Sequence, residues 1–277
     1  MSGYDSYGDG GGGPQLALPR VTPVVRRLLI AILVAFILQY FISWRPEGQR
    51  WILFGLGLAP ETWRAFFPFV PIWQLGSYGF LHGGLGHMLQ NMLVLYFFGT
   101  MLETIIGSQR FLFVYVASLL SGAFLYLLVE FVAGGGSPAI GASGAVMGIL
   151  IATAVLRPDT MVLVIFIPVK LKWLALALVS LDVFGLLEQA KGATVFTAHW
   201  VHVGGAVFGG IAARYGLIWK DPIQGFEERR SVRAEQKRLG DEAKMDELLS
   251  KIHDEGINSL SRAERDFLKR MSKRRSG

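Results

Sequence analysis

Between Val24 and Ile218 the sequence is a succession of apolar segments, most of them long enough to cross a lipid bilayer. Crossing the hydrocarbon takes about 20 mostly apolar residues. Inside it, backbone N–H and C=O groups find no water, so such segments must become helices that satisfy their own hydrogen bonds. The candidates are about Val24–Trp44, Ser77–Leu102, Arg110–Val132, Ala142–Leu156, Leu171–Leu187 and Thr197–Ile218. The fourth is short for a complete crossing. The fifth follows Pro158 and a stretch, MVLVIFIPVKLK, whose conformation the sequence leaves open. Between the first two lies WILFGLGLAPETWRAFFPFVPIW, aromatic and broken by Pro60, Pro68 and Pro71. It reads as an interfacial loop with short amphipathic pieces. The expected fold is an all-α membrane protein, a bundle of six transmembrane helices with a small helical cytosolic C-terminal tail.

The composition agrees. Charged residues make up 17% of the 277, against about 25% in a soluble domain, and both ends of the chain are polar. There is no cysteine, which excludes disulfides, iron–sulfur clusters and thiol chemistry. Five histidines, no pair of them with carboxylate or cysteine company, offer little for a metal site, so neither metal nor cofactor is expected. Residues 1–23 are Gly-rich and acidic, with Gly10–Gly13 before Pro14, and read as a flexible tether rather than a secretory signal. Residues 24–218 form the transmembrane domain and residues 219–277 the tail, which holds more than half of the Lys and Arg and half of the net charge of +6.

Within the tail, Met245, Leu248, Leu249 and Ile252 recur at helical spacing. Ser261 and Glu264 stand at capping-box spacing ahead of a second short helix. Such a tail suits anionic lipid or a protein partner equally; no nucleic-acid partner is expected. Arg26, Arg27, Arg157, Lys170, Lys172 and Lys220 fall on one side of a six-span chain, which puts both termini in the cytosol. Arg45, Arg50 and Arg64 on the other side weaken that signal. Without an arginine-rich, acid-poor leader, a bacterial inner membrane is the expected location.

Three polar clusters interrupt the apolar segments: His87 and Asn91 in HMLQNM, Ser143 in GASGAVMG, and His202 in HVGGAVFGG. Polar groups in hydrocarbon are costly, which makes each a candidate functional site. Alternating helices place all three within roughly 5–15 Å of the outer boundary at 1.5 Å per residue. A serine at a helix start has unpaired N–H groups beside it, suited to a developing oxyanion. A neutral imidazole can take its proton without a third residue. Gly205 and Gly209 would let the sixth helix press on the fourth and carry His202 towards Ser143. His87 and Asn91, four apart on one helix face, are suited to donate hydrogen bonds. Taken singly, each has a plainer explanation: Ser143 as a helix cap, His202 as a satisfied core histidine, His87 and Asn91 as a pair holding helices together. His199 competes with His202 for the role of base, and His82 reads as support for the loop. Asp182 reads as a bundle-facing hydrogen-bonder.

Jointly these motifs resemble the rhomboid intramembrane serine proteases. WQLGSYGFLHGGLGHMLQNM is similar to the family's second-helix region, FGTMLE followed by GSQRF to its helix end, GASGAVMG to its nucleophile motif, and AHWVHVGGAVFGG to its sixth-helix histidine motif. The resemblance covers about Val24–Ile218. It implies a serine endopeptidase with a dyad of Ser143 as nucleophile and His202 as base, and an oxyanion site from the Ser143 N–H, His87 and Asn91. Its substrates would be single-pass transmembrane proteins, reached laterally past helix five and the QAKGATVF loop, where Lys191 and Gly192 lie. Two positions depart from the family pattern: Gln74 stands where many members have arginine, and Met147 where many have an aromatic residue. A catalytically silent, client-binding relative is the alternative; such relatives lack the serine or the histidine, and both are present here. A transporter would want charges at mid-membrane or internal repeats, and the segments offer only Asp182 and Glu130.

Overall fold

The computed structural model describes residues 19–164, 167–191, 198–219 and 224–275. The expected tether at Gly10–Gly13, most of the QAKGATVF loop and the start of helix six at Thr197 lie outside them. The chain divides into two units, Met1–Lys220 and Asp221–Gly277.

Helix α1 (Pro23–Ile42) opens on a proline, which has no N–H to leave unpaired in the first turn. The next two N–H groups, of Val24 and Val25, each donate to the Glu103 carboxylate at 3.0 Å. Thr22 Oγ1 donates to it at 2.5 Å and Ser108 Oγ at 2.6 Å. Glu103 lies near the end of α2 (Leu85–Ile106), and Ser108 opens α3 (Ser108–Ala133). One buried carboxylate therefore ties three helix ends, and backbone dipoles favour its charge at the start of α1. Replacing Glu103 with Ala leaves those donors without an acceptor. The expected cost is about 2–4 kcal/mol, since hydrogen bonds to a charged group are the strong ones, and it is read from thermal unfolding in detergent.

Helix α2 starts eight residues later than the hydropathy suggests. Gln74–Ser77 is a single helical turn, Tyr78–Phe80 a tighter one, and Gly83 and Gly84 intervene. Two successive glycines lose the most entropy on ordering and so interrupt the helix. Gln39 of α1 holds this break from both sides, donating to the His82 carbonyl at 2.7 Å and accepting from the His82 N–H at 2.9 Å.

Helix α4 (Ser143–Leu156) is apolar all round and enclosed by α2, α3 and α6 (His199–Arg214), as a helix without a polar face must be. The outer helices invert the soluble pattern. Ile30, Leu33, Val34, Leu38 and Phe41 on α1, and Leu112, Val116, Leu120, Phe124 and Leu128 on α3, face outward, as surfaces solvated by lipid would. Among the described residues, three helices (α1, α2 and α3) are long and apolar enough to cross a membrane, and α4 is a shorter apolar helix.

The all-α expectation is corrected at MVLVIFIPVKLK. Strands β1 (Met161–Val164) and β2 (Ile167–Lys170) pair antiparallel, Met161 opposite Lys170 and Val164 opposite Ile167. β-Branched residues suit the extended chain, and Pro168 has no N–H to spend on a helix. At the open end Asp159 receives Lys170 at 3.2 Å and Lys172 at 2.9 Å, whose hydrogen bonds hold its carboxyl below the usual range. Helix α5 (Leu171–Ala190) follows directly.

The second unit holds α7 (Gln224–Glu255) and α8 (Arg262–Arg275), with Leu248 and Leu260 buried. Gly256, at φ 83°, ends α7 in the left-handed conformation glycine tolerates. The capping box is present: Ser261 N–H donates to Glu264 Oε2 at 2.6 Å, and Glu264 N–H to Ser261 Oγ at 3.3 Å. These bonds, with Lys251 beside them, hold the Glu264 carboxyl at about 2. Because that value is depressed, the contribution is complete above the ordinary glutamate range, roughly pH 4–5, and disappears as the pH falls towards 2. At neutral pH Glu264→Gln is accordingly expected to speed amide exchange in the first turn of α8, measured by hydrogen–deuterium exchange.

Candidate active site

Ser143 is the first residue of α4, and the cap position is Ala142, which offers no side-chain cap. Its hydroxyl turns instead to His202, with Oγ and Nε2 2.8 Å apart. Glycines produce that approach. A Cβ on Gly205 would overlap the Gly144 carbonyl, and one on Gly209 the Gly148 carbonyl. Backbone thus lies on backbone along the α4–α6 seam, as small residues permit in membrane helices. The expected docking of helix six on helix four is what the structure has.

His87 and Asn91 join them, lining a cavity of about 1110 Å³ together with Ser143, Met147 and His202. His87 is the third residue of α2 and His202 the fourth of α6, so three helix N-termini meet here. His87 Nδ1 accepts from the Gly83 N–H at 3.3 Å, which leaves the proton on Nε2, available as a donor. Between His87 and Ser143 runs Gly141, at φ 129°. A Cβ there would lie 3.0 Å from His87 Nε2 and 3.4 Å from Ser143 Oγ, filling the space between the two. Asn91 is buried and donates one amide hydrogen to the His87 carbonyl at 2.9 Å; the amide carries a second. His82 stands behind, its ring edge-on to His87 at 5.1 Å between centroids.

One partner was not foreseen. Asp182 of α5 lies 2.8 Å from His202 Nδ1, and the same oxygen lies 2.7 Å from His199 Nδ1. The expectation that no pair of histidines has carboxylate company is therefore corrected. The three donor atoms lie within 4.8 Å of one another, a set also capable of holding a transition metal. A carboxylate only accepts, so both imidazoles carry their protons on Nδ1 and His202 presents the Nε2 lone pair to Ser143. The signal in the sequence was a carboxylate in the middle of an apolar helix; its address on α6 depends on how α5 is rotated.

Gln74, where the family pattern has arginine, does not loosen the first loop. It is fully buried; its Oε1 accepts from Ala59 N–H at 3.1 Å and Trp63 Nε1 at 3.0 Å, and its Nε2 donates to the Phe54 carbonyl at 2.7 Å. Leu58 and Ala139 exchange backbone hydrogen bonds at 2.9 Å, which joins that loop to the segment leading into Ser143.

Compared with known families, residues 71–219 match the model of the rhomboid domain, and residues 233–274 match a family of unknown function, DUF6576. Among curated proteins, the presenilin-associated rhomboid-like protein, mitochondrial, of Rattus norvegicus is 35% identical over 151 residues, 51% of this chain and 38% of its own. The Rhomboid protein 1, mitochondrial, of Saccharomyces cerevisiae is 29% identical over 198 residues, 66% of this chain and 54% of its own. The RHOMBOID-like protein 12, mitochondrial, of Arabidopsis thaliana is 28% identical over 187 residues, 62% and 53%. This chain therefore spans from under two fifths to about half the length of these relatives.

Proposed function

The chain belongs to the rhomboid family, and on that footing we propose that it is an intramembrane serine endopeptidase acting through Ser143 and His202. The observation that carries the proposal is the 2.8 Å approach of Ser143 Oγ and His202 Nε2 on the wall of the cavity that His87 and Asn91 also line, the nucleophile–base spacing that serine catalysis requires.

In the proposed reaction Ser143 Oγ attacks the scissile carbonyl while His202 Nε2 takes its proton. The oxyanion is met by the first N–H groups of α4, by His87 Nε2–H and by the spare amide hydrogen of Asn91, donors that need no rearrangement. His202 then protonates the leaving amine, and a water admitted through the cavity releases the acyl group. Helix α4 has 14 residues, about 21 Å at 1.5 Å each, against about 30 Å of hydrocarbon. With its last residue at one membrane surface, its first would sit below the other.

A helical substrate shields its own carbonyls. Cleavage thus requires a single-pass segment that unwinds, with Gly, Ala, Ser or Pro near the scissile bond. We take six spans, with both termini cytosolic and α5 as the side of access. The tail would meet anionic lipid or a partner. The expected bacterial inner membrane stands against relatives whose names place them in mitochondria, so the proposal is confined to a bilayer, and fractionation of the native cell reads the compartment.

The test is cleavage of a single-pass model substrate in proteoliposomes. A Gly/Ala-rich stretch near the outer boundary should be cut, and replacing it with leucine should slow cutting at least about 10-fold, the energetic equivalent of 1.4 kcal/mol. A purified protein that cuts none of several such substrates, and whose Ser143 takes up no fluorophosphonate, would sink the proposal.

A further inference from the structure

We propose that Asp182 is the positioning residue that aims His202 at Ser143, and that its place on α5 makes this alignment conditional on α5 lying docked against α6. The inference rests on the serine-protease reading above and adds to the dyad a third group on a different helix.

A single oxygen, Asp182 Oδ1, accepts from His202 Nδ1 at 2.8 Å and from His199 Nδ1 at 2.7 Å. The first bond fixes the ring and the tautomer of the base. The second holds the carboxylate from its other side, so His199 acts on His202 through Asp182.

The attachment of α5 explains why the alignment is conditional. Its buried residues, Leu171, Ala175, Asp182 and Gly185, form one narrow stripe at helical spacing. Trp173, Leu176, Leu181, Val183, Phe184 and Leu187 face outward. A Cβ on Gly185 would overlap the His199 ring, so the missing side chain is what lets the two helices close until the carboxylate reaches both imidazoles. Any outward movement of α5 to admit a substrate stretches the Asp182–His202 bond before it disturbs Ser143, whose helix is locked to α6 by glycines. Substrate access and base alignment are thereby alternating states of one helix.

The test measures kcat and KM for cleavage in proteoliposomes, with the rate of fluorophosphonate labelling of Ser143. Asp182→Asn keeps the shape and removes the charge. It should lower kcat and labelling at least about 100-fold, given how strongly serine hydrolases depend on this group, with KM within about 3-fold. His199→Ala, which removes only the second bond to Asp182, should fall by less than Asp182→Asn, and Gly185→Ala should lose at least about 10-fold in kcat beyond His199→Ala. Because the clash of the added methyl is with the His199 ring, Gly185→Ala/His199→Ala should return to the level of His199→Ala. Asp182→Asn with kcat within about 3-fold of wild type overturns the positioning role. A double variant no better than Gly185→Ala overturns the dependence on α5 docking, and it decides that point even if Asp182→Asn fails to fold. A wild-type rate that rises on adding a chelator means the three donors hold a metal rather than protons, and also overturns the inference. Wild type that neither cleaves nor labels refutes the protease reading instead.

Discussion

Ser143→Ala is expected to lower kcat by at least about 10,000-fold, His202→Ala by a similar factor, and the double variant no further, because groups that act as one unit are strongly non-additive. The reason is geometric. With Oγ and Nε2 2.8 Å apart, neither atom has a second reactive partner among the described residues. Losing the hydroxyl leaves nothing to acylate, and losing the imidazole leaves a serine whose proton has no acceptor. Rates of substrate cleavage in proteoliposomes, corrected for folded enzyme by thermal unfolding, check the expectation. Equal residual cleavage by wild type and both single variants would point to a contaminating protease. An additive double variant would mean the two side chains act in separate steps.

Gly205→Val is expected to produce a large loss without touching a polar group of the site. The atom its Cβ would overlap is the Gly144 carbonyl, part of a helix backbone with no rotamer to escape into. Overpacking in a core costs about 1–3 kcal/mol when side chains can adjust, and here they cannot, so the upper end applies. Activity should fall more than stability does. Forcing α6 away from α4 lengthens the Ser143–His202 contact, and a misplacement of about 1 Å can cost about 100-fold in rate. Two other glycines calibrate the measurement. At Gly210 an added methyl meets only the Ile151 side chain, at 3.3 Å, and at Gly86 nothing lies within 4 Å. Gly210→Ala should therefore be mild. Gly86→Ala should be neutral or stabilising by about 0.5–1 kcal/mol, the entropy a helical glycine gives up. Thermal unfolding and kcat measured on the three variants give the ranking.

These contrasts show what a sequence of this kind makes legible. Ser143, His202, His87 and Asn91 could be singled out because hydrocarbon makes a polar group conspicuous, and Gly205 and Gly209 because four-residue spacing of small residues announces a close helix contact. Position along a helix was readable to within a few residues except on α2, whose start lies eight residues beyond the expected one. Rotation about the axis of a helix apolar on nearly every side was not, and that rotation decides that Asp182 meets His199 and His202. Gln74 escaped for a different reason. Its partners, the Phe54 carbonyl, the Ala59 N–H and the Trp63 indole, belong to an irregular loop with no periodicity to extrapolate. The β1–β2 hairpin was hidden because a short apolar run supports a strand and a helix equally well until its pairing partner is known.

The two polar clamps on α1 have a consequence for how the molecule is assembled. Most of its outer surface is apolar, and glycine-on-glycine contacts of the α4–α6 kind are absent from it among the described residues. Glu103 grips its first turn, and its Gln39 grips the backbone at His82. Lipid rewards a lone apolar helix as much as a packed one, so α1 can wait in the bilayer as an independent span. It can join the bundle once α2 has presented a carboxylate at one end and the turn before α2 a peptide group at the other. The reacting groups all lie on helices that follow it, and α1 braces a site to which it contributes no reacting group.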